Sequence, residues 1–188
     1  MFGDPGTEES ANIMLRIALT DESDAVRHDR RKLLRLVRAI LRPRMPKAIV
    51  DVAIVGARRI AALNREFLHR RGLTDVISFN LGPIADHGMQ ASRGTRGVLG
   101  QIVVCADVAR REAARRRIRA EDELALYVAH GALHLLGETD YDPKARERMR
   151  RLAARALVKG GYSDVTKTGG FGVQGSGFSD DVAVRPEP

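Results

Sequence analysis

Two histidines four residues apart are the most chemically informative feature of this chain. His130 and His134 lie in a run that ends at Gly137, and Asp140 follows three residues later. Side chains at positions i and i+4 of a helix share one face, one turn apart, so both imidazoles can reach one metal ion. Glycine suits the left-handed position just after a helix, which would let the chain swing Asp140 back to the same ion. Two nitrogens and a carboxylate leave a fourth position open for water, as in catalytic zinc sites, and this predicts a hydrolase.

The same residues also allow less specific interpretations. Paired histidines occur as ordinary core or surface residues without any metal. Gly131 stands where the zinc peptidase motif H-E-x-x-H has its glutamate, and this disfavours a zinc peptidase or amidase. Water would then be activated mainly by the ion or by another carboxylate. Glu138 and Asp142 are the nearby candidates, although a solvated loop charge is the commoner role for each.

The hydrophobic pattern predicts an α+β fold, with a mixed four-stranded sheet packed with helices and His-x-x-x-His on a central buried helix. Alternating or β-branched segments indicate strands at 13–19, 48–55, 74–81 and 98–105. Helical spacing of apolar residues indicates helices at about 24–41, 58–67, 107–119, 121–136 and 143–158. Residues 20–23 are expected to cap the first helix. The glycine-rich stretch 82–97 is expected to be a loop or hairpin connection.

Composition and length favour one domain. The chain has 188 residues, of which 44% are apolar, and we expect residues 13–158 to fold around one core. Residues 1–12 and the glycine- and serine-rich tail 159–188 are expected to be disordered. The absence of any run of about 18 apolar residues argues against a membrane span. The acidic N-terminus does not resemble a secretory signal. The single cysteine, Cys105, is expected in the core, and a reducing cytoplasm is the expected compartment.

The positive charge of the chain suggests a phosphate-rich partner. The net charge is +8 and the sequence pI about 10.3, while the tail from Lys159 has three basic and four acidic residues. A basic folded part favours RNA binding that weakens with salt, although abundant arginine can also reflect genome composition. The arginines between Arg110 and Arg119 fit either a phosphate-contacting face or a solvated helix surface. The segment Gly169–Gly177, with Phe171 and Phe178 nearby, more closely fits inert disorder than a base-stacking surface.

Several separate segments resemble the YbeY family of bacterial metal-dependent endoribonucleases, which act in ribosomal RNA maturation. The run from His130 to Gly137 resembles the family signature. Leu63-Asn64 and the segment Thr74–Phe79 resemble further family segments, as does Leu99–Val104 with Gln101 for the usual aspartate. The resemblance covers about residues 13–158. It implies RNA, including rRNA precursors, and ribosomal particles as partners.

The resemblance also implies one bound ion, most simply Zn²⁺ or another divalent metal, held by His130, His134 and Asp140 as the catalytic group. Its bound water would attack a phosphodiester, or the ion would act as a Lewis acid on the phosphate. Thr74, Asp75 and Ser78 would line the cleft, or they serve as hydrogen-bonding residues at a strand end. The oligomeric state does not follow from the sequence.

Two departures from the family pattern concern the site. Asp140 stands where the family has a third metal-binding histidine, and a carboxylate makes the site less positive while remaining an acceptable zinc ligand. It also favours harder ions. Leu68 stands where the family usually has an arginine, whose charge Arg70 or Arg71 would have to supply. These departures motivate an alternative function, a ribosome-associated RNA-binding factor with a weak or vestigial metal site.

Overall fold

A computed structural model of the chain describes residues 14–83 and 98–167, which form a mixed four-stranded sheet packed with five α-helices. The strands are β1 (Arg16–Asp21), β2 (Ala48–Val55), β3 (Val76–Pro83) and β4 (Val98–Cys105). Their order across the sheet is β1-β2-β4-β3, with β1, β2 and β4 mutually parallel and β3 antiparallel to β4. The predicted α+β class and mixed sheet are therefore confirmed.

The helices are α1 (Arg30–Leu41), α2 (Ala57–Leu68), α3 (Ala106–Arg116), α4 (Ala120–Leu135) and α5 (Pro143–Lys159). Helix α4 packs on β3 and β4 and is in turn flanked by α1, α3 and α5. Helix α2 lies on the opposite face of the sheet, where Phe67 contacts Phe79 edge to face with ring centroids 5.2 Å apart. The helix that carries the histidines is thus the central one.

Helix α4 is buried because apolar residues occur on every side of it. Every residue from Asp122 to Leu135 is buried, including the polar Asp122, Glu123, His130 and His134. Glycines allow its close approach to the sheet. A Cβ on Gly131 would lie 2.6 Å from Cγ2 of Ile102, and a Cβ on Gly100 would lie 2.9 Å from Cδ1 of Leu135. Side-chain atoms of one layer therefore occupy the space that a larger residue would need.

The start of α1 differs from the prediction. The helix begins at Arg30, and the predicted capping residues Thr20 and Asp21 instead belong to β1. Asp29 is the N-cap, since its Oδ1 accepts a hydrogen bond from the Lys32 amide at 3.0 Å. The six residues before Arg30 lack the apolar repeat of the helix, and a tertiary contact from Glu121 to the Asp29 amide (3.2 Å) supports the later start.

The described part of the structure continues to residue 167, beyond the predicted end of the domain at residue 158. Tyr162 and Val165 are buried in the core, and residues Val165–Lys167 form a short 3₁₀ helix. The Ser163 amide also donates to Oδ1 of Asp122 at 3.3 Å. The N-terminal segment 1–12 and the tail beyond residue 167, both predicted to be disordered, lie outside the described residues.

Two simpler expectations concern Cys105 and the membrane. Cys105 is fully buried, as expected for a small core residue, and its burial raises the pKa of the thiol. Over residues 14–83 and 98–167, none of the helices combines the length and apolar character that a membrane crossing requires. The predicted connection 82–97 lies mostly outside the described part of the chain.

We expect Gly131→Ala to destabilise the protein by about 1–3 kcal/mol, because the new methyl group would overpack the interface between α4 and the sheet. Urea unfolding of the two proteins measures this difference. Gly56→Ala is the control, since the nearest atom to its added Cβ would be Oδ2 of Asp107 at 3.5 Å, an ordinary contact. It should cost less than about 1 kcal/mol. Equal losses in the two variants would contradict the role of close packing at Gly131.

Candidate metal centre

The site begins where α4 ends. Gly137 adopts a left-handed conformation with φ of 81°, as its position in the sequence predicted. The Gly137 amide donates to the His134 carbonyl at 2.8 Å, and the Glu138 amide donates to the Leu133 carbonyl at 3.1 Å. These two bonds form a Schellman motif, which satisfies the last carbonyls of the helix and reverses the chain. Asp140 is thereby returned to the helix face that bears the histidines.

The structure brings together the three predicted ligands. His130, His134 and Asp140 are all buried, and one ligand atom from each lies within 4.8 Å of the others. The two Nε2 atoms are 3.0 Å apart, and Nε2 of His130 is 3.8 Å from Oδ2 of Asp140. Ligand atoms of a tetrahedral zinc ion are about 3.3 Å apart, so the residues fit such an ion without large movement. This group could hold a metal ion.

The orientation of His134 is set by a backbone carbonyl. Its Nδ1 atom lies 3.0 Å from the carbonyl oxygen of Glu138. A carbonyl oxygen can only accept, so Nδ1 carries the proton and Nε2 presents a lone pair to the cluster. Metal-bound histidines commonly donate their other ring N–H to such a partner, which fixes both tautomer and ring orientation.

Burial keeps His130 in the form that a metal ligand requires. Removal from water and, to a smaller degree, the neighbouring His134 together lower the pKa of His130 to about 3. The imidazole is therefore neutral at physiological pH, and an incoming cation need not displace a proton from it.

A buried carboxylate, Asp75, adjoins the cluster. Thr74 and Asp75 are both buried just before β3, and Oγ1 of Thr74 donates to Oδ1 of Asp75 at 3.2 Å. The pKa of Asp75 is raised to about 6, mainly by burial and to a smaller degree by the charge of Asp140. Ser78 has a different role, because its Oγ donates to the Gly131 carbonyl at 3.2 Å and ties β3 to α4.

The other two candidate carboxylates have structural partners. Asp142 is the N-cap of α5, where its Oδ1 accepts from the amides of Lys144 and Ala145 at 2.8 and 2.9 Å. Glu138 lies between two arginines, Arg44 and Arg148. No signal in the sequence pointed to Arg44, since it lies 94 residues before the acid it contacts. Both carboxylate oxygens of Glu138 therefore face arginines, and Asp142 serves the start of α5 through its Oδ1.

Gly131 also bears on the peptidase alternative. The side chain of residue 131 would point at Ile102, Ser78 and Val76, since a Cβ there would lie 2.6 to 3.0 Å from atoms of these residues. A glutamate at this position could not fit without moving the helix off the sheet. The packing therefore leaves no room at residue 131 for the glutamate that zinc peptidases use as their general base.

Most of the arginines between Arg110 and Arg119 pair with acids of α3 or of the neighbouring α4. Arg110 pairs with Asp107 at 3.6 Å, and Nη2 of Arg115 lies 2.8 Å from Glu112. Other pairs within and beside α3 join Arg111 to Glu112, Arg119 to Glu121 and the buried Arg116 to Glu123. This pattern favours the solvated, ion-paired surface over a dedicated phosphate-contacting face. The predicted alternative at Gly169–Gly177 lies outside the described residues.

Two other departures from the resemblance, Leu68 and Gln101, are not members of the cluster. Leu68 packs partly buried against the core, and Arg70 and Arg71 are exposed after α2. Gln101 lines a cavity of about 420 Å³ on the opposite face of the sheet, together with Phe67 and Phe79. Since alternate strand residues face opposite sides, Gln101 and the ligands are separated by the sheet itself.

Comparison with known proteins gives one consistent family. A family model described as Endoribonuclease YbeY matches residues 17–160. The protein named Endoribonuclease YbeY from Micrococcus luteus is 38% identical over 111 residues, which cover 59% of this chain and 69% of that protein. Its namesake from Thermobifida fusca is 34% identical over 146 residues, or 77% of this chain and 93% of that protein. The solution structure of TM1509 from Thermotoga maritima aligns at 21% identity with a TM-score of 0.47, covering 78% of this chain and 91% of that one.

We expect Asp75→Asn to stabilise the metal-free protein at neutral pH. The folded-state pKa of about 6 exceeds the ordinary 3.8, so stability is lost as pH rises from about 4 to 6 and stays lower above that range. The gain from Asn should approach about 3 kcal/mol at pH 7.5 and vanish below about pH 3, where the Asp75 carboxyl is protonated in the folded and the unfolded state alike. Urea unfolding in a chelator measures it. A gain that does not change between pH 4 and 7.5 would contradict this account.

Proposed function

Because the chain belongs to the YbeY endoribonuclease family, whose model spans residues 17–160, we propose that it is a metal-dependent endoribonuclease acting in rRNA maturation and ribosome quality control. Its substrates would be single-stranded stretches of rRNA precursors, reached on ribosomal particles in the cytoplasm. The observation that carries the proposal is the compact buried group of His130, His134 and Asp140. A group of this kind is costly to bury unless a ligand uses it.

His130, His134 and Asp140 would hold one divalent ion, with zinc preferred because two imidazoles and a carboxylate suit it. When bound, the ion would supply Lewis-acid activation of water or of the phosphodiester. His134 contributes a fixed lone pair, because its Nδ1–H is held by the Glu138 carbonyl. Asp75, whose pKa is raised to about 6, can hold or release a proton beside the site near neutral pH.

The basic surface would attract the RNA. Exposed arginines are found on α1, at the start of α2 and after its end, among them Arg35, Arg38, Arg58 and Arg70. With a net charge of +8, binding should weaken as the salt concentration rises. Electrostatic attraction of this kind is independent of sequence, so it supports an RNA substrate without specifying the cleavage site.

A second candidate function is a ribosome-associated RNA-binding factor with a weak metal site. The observation that favours it is Asp140, whose negative charge offsets part of the positive charge of a bound ion. Such a factor would bind rRNA fragments in a salt-dependent way and leave them uncut when fully loaded with zinc. The endoribonuclease would cut them under the same conditions.

We expect His130→Ala to lose its zinc and its RNA cleavage. Even partners outside the coordination sphere change metal affinity by roughly 10–100-fold, so loss of a direct ligand should cost at least about 100-fold. Metal content by mass spectrometry and cleavage of an rRNA precursor measure the two effects. His69→Asn is the control, since this exposed residue lies in a left-handed conformation that Asn tolerates. Full zinc occupancy in His130→Ala would refute the assignment of the site.

We expect Asp140→His to increase RNA cleavage by roughly tenfold, equivalent to about 1.4 kcal/mol in activation free energy, because a neutral ligand leaves the ion more strongly Lewis acidic. Single-turnover cleavage at saturating zinc measures the change, and zinc stoichiometry should stay the same. Reduced cleavage with unchanged zinc content would show instead that the carboxylate serves this site better than an imidazole.

A further inference from the structure

The turn after α4 is held from three directions at Glu138. The Glu138 amide donates to the Leu133 carbonyl at 3.1 Å. Its carbonyl oxygen accepts from Nδ1 of His134 at 3.0 Å. Its side chain is only 10% exposed, although it belongs to a loop. Glu138 therefore connects the end of α4 to the His134 imidazole, and its buried side chain connects both to the groups that surround its carboxylate.

Two arginines from distant parts of the chain surround that carboxylate. Nη1 of Arg44, from the segment after α1, donates to Oε1 at 2.6 Å. Nη2 of Arg148, from α5, lies 2.7 Å from Oε2 as an ion pair without hydrogen-bond geometry. Arg44 also donates through Nη2 to the Leu136 carbonyl at 2.8 Å, so it grips the turn twice. Both arginine side chains are more than half exposed, whereas the Glu138 side chain between them is buried.

We propose that Glu138 is a positioning residue for the metal centre, and that Arg44, Glu138 and Arg148 form a clamp that keeps the Glu138 carbonyl on His134. This inference rests on the proposed metal-dependent function. The clamp fixes the turn, the turn fixes the carbonyl, and the carbonyl keeps the Nε2 lone pair of His134 directed at the cluster. The site is then formed before the ion arrives.

The geometry distinguishes this role from a catalytic one. Both carboxylate oxygens face arginines, so Glu138 does not offer a free oxygen to substrate or to water. It also differs from an ordinary surface ion pair, which contributes little. A buried carboxylate that loses its cationic partners is costly, so the turn should rearrange when the clamp is broken.

Zinc affinity tests the clamp directly. Glu138→Gln changes only the side chain and leaves the carbonyl that contacts His134 in the backbone. We expect the zinc dissociation constant, measured by chelator competition, to rise roughly 10–100-fold. With Co²⁺ in place of zinc, the visible absorption spectrum should change, because the ligand geometry has changed. Arg148→Gln, at an exposed position, should act in the same direction and keeps the test decidable if Glu138→Gln fails to fold.

Glu147→Gln is the matched control. Glu147 makes two contacts of 2.7 Å with Arg150 on the surface of α5. The Gln variant therefore removes an equally short pair with an arginine, but outside the site. Its zinc affinity and cobalt spectrum should equal those of the wild type. Unfolding in a chelator should show that all variants fold without metal, which separates positioning from general stability.

The outcomes separate the clamp from the proposed function. A wild-type protein that binds no zinc overturns both. A wild type that binds zinc, with Glu138→Gln and Arg148→Gln binding it equally tightly and giving the same cobalt spectrum, overturns the clamp alone. Weakened zinc binding and an altered spectrum in these two variants, but not in Glu147→Gln, support it.

Discussion

The close contact between α4 and the sheet is the constraint on which the rest of the structure depends. Gly131 lets the helix approach β3 and β4 so nearly that a methyl group there would lie 2.6 Å from Ile102. His130 and His134 belong to the same helix as Gly131, so this close approach also determines where the two histidines lie. Both histidines are buried there, as are Thr74 and Asp75 just before β3.

Burial of polar groups then decides the chemistry of the centre. An imidazole removed from water stays neutral, and a carboxylate removed from water holds its proton more tightly, so the pKa of His130 falls and that of Asp75 rises. The same helix also buries Glu123 with Arg116, at 3.0 Å. That pair is compensated within the chain, whereas the cluster of two histidines and Asp140 has the donor set of a metal site.

The acidic residues around the turn belong to one arrangement. Asp140 brings a negative charge where the resemblance implied an imidazole, and Glu138 brings another two residues earlier. Arg44 and Arg148 contact the Glu138 carboxylate, and Nη2 of Arg146 donates to the backbone carbonyl of Asp140 at 3.2 Å. The turn that carries Asp140 is therefore held by three arginines, two through the Glu138 side chain and one through the Asp140 backbone.

Local patterns in the sequence were sufficient for the fold class, the boundaries of β2 and β4, the helix with its two histidines, and the glycine that ends it. These depend on periodicity and on single-residue conformational preference, which neighbouring residues express directly. The first helix was predicted six residues too early because its true start depends on a contact from Glu121. The role of Glu138, the partners of Arg44 and the proton affinity of Asp75 were decided only by tertiary structure. These features depend on contacts between groups distant in sequence and on the removal of those groups from water. The local spacing of residues predicts neither the contacts nor the burial.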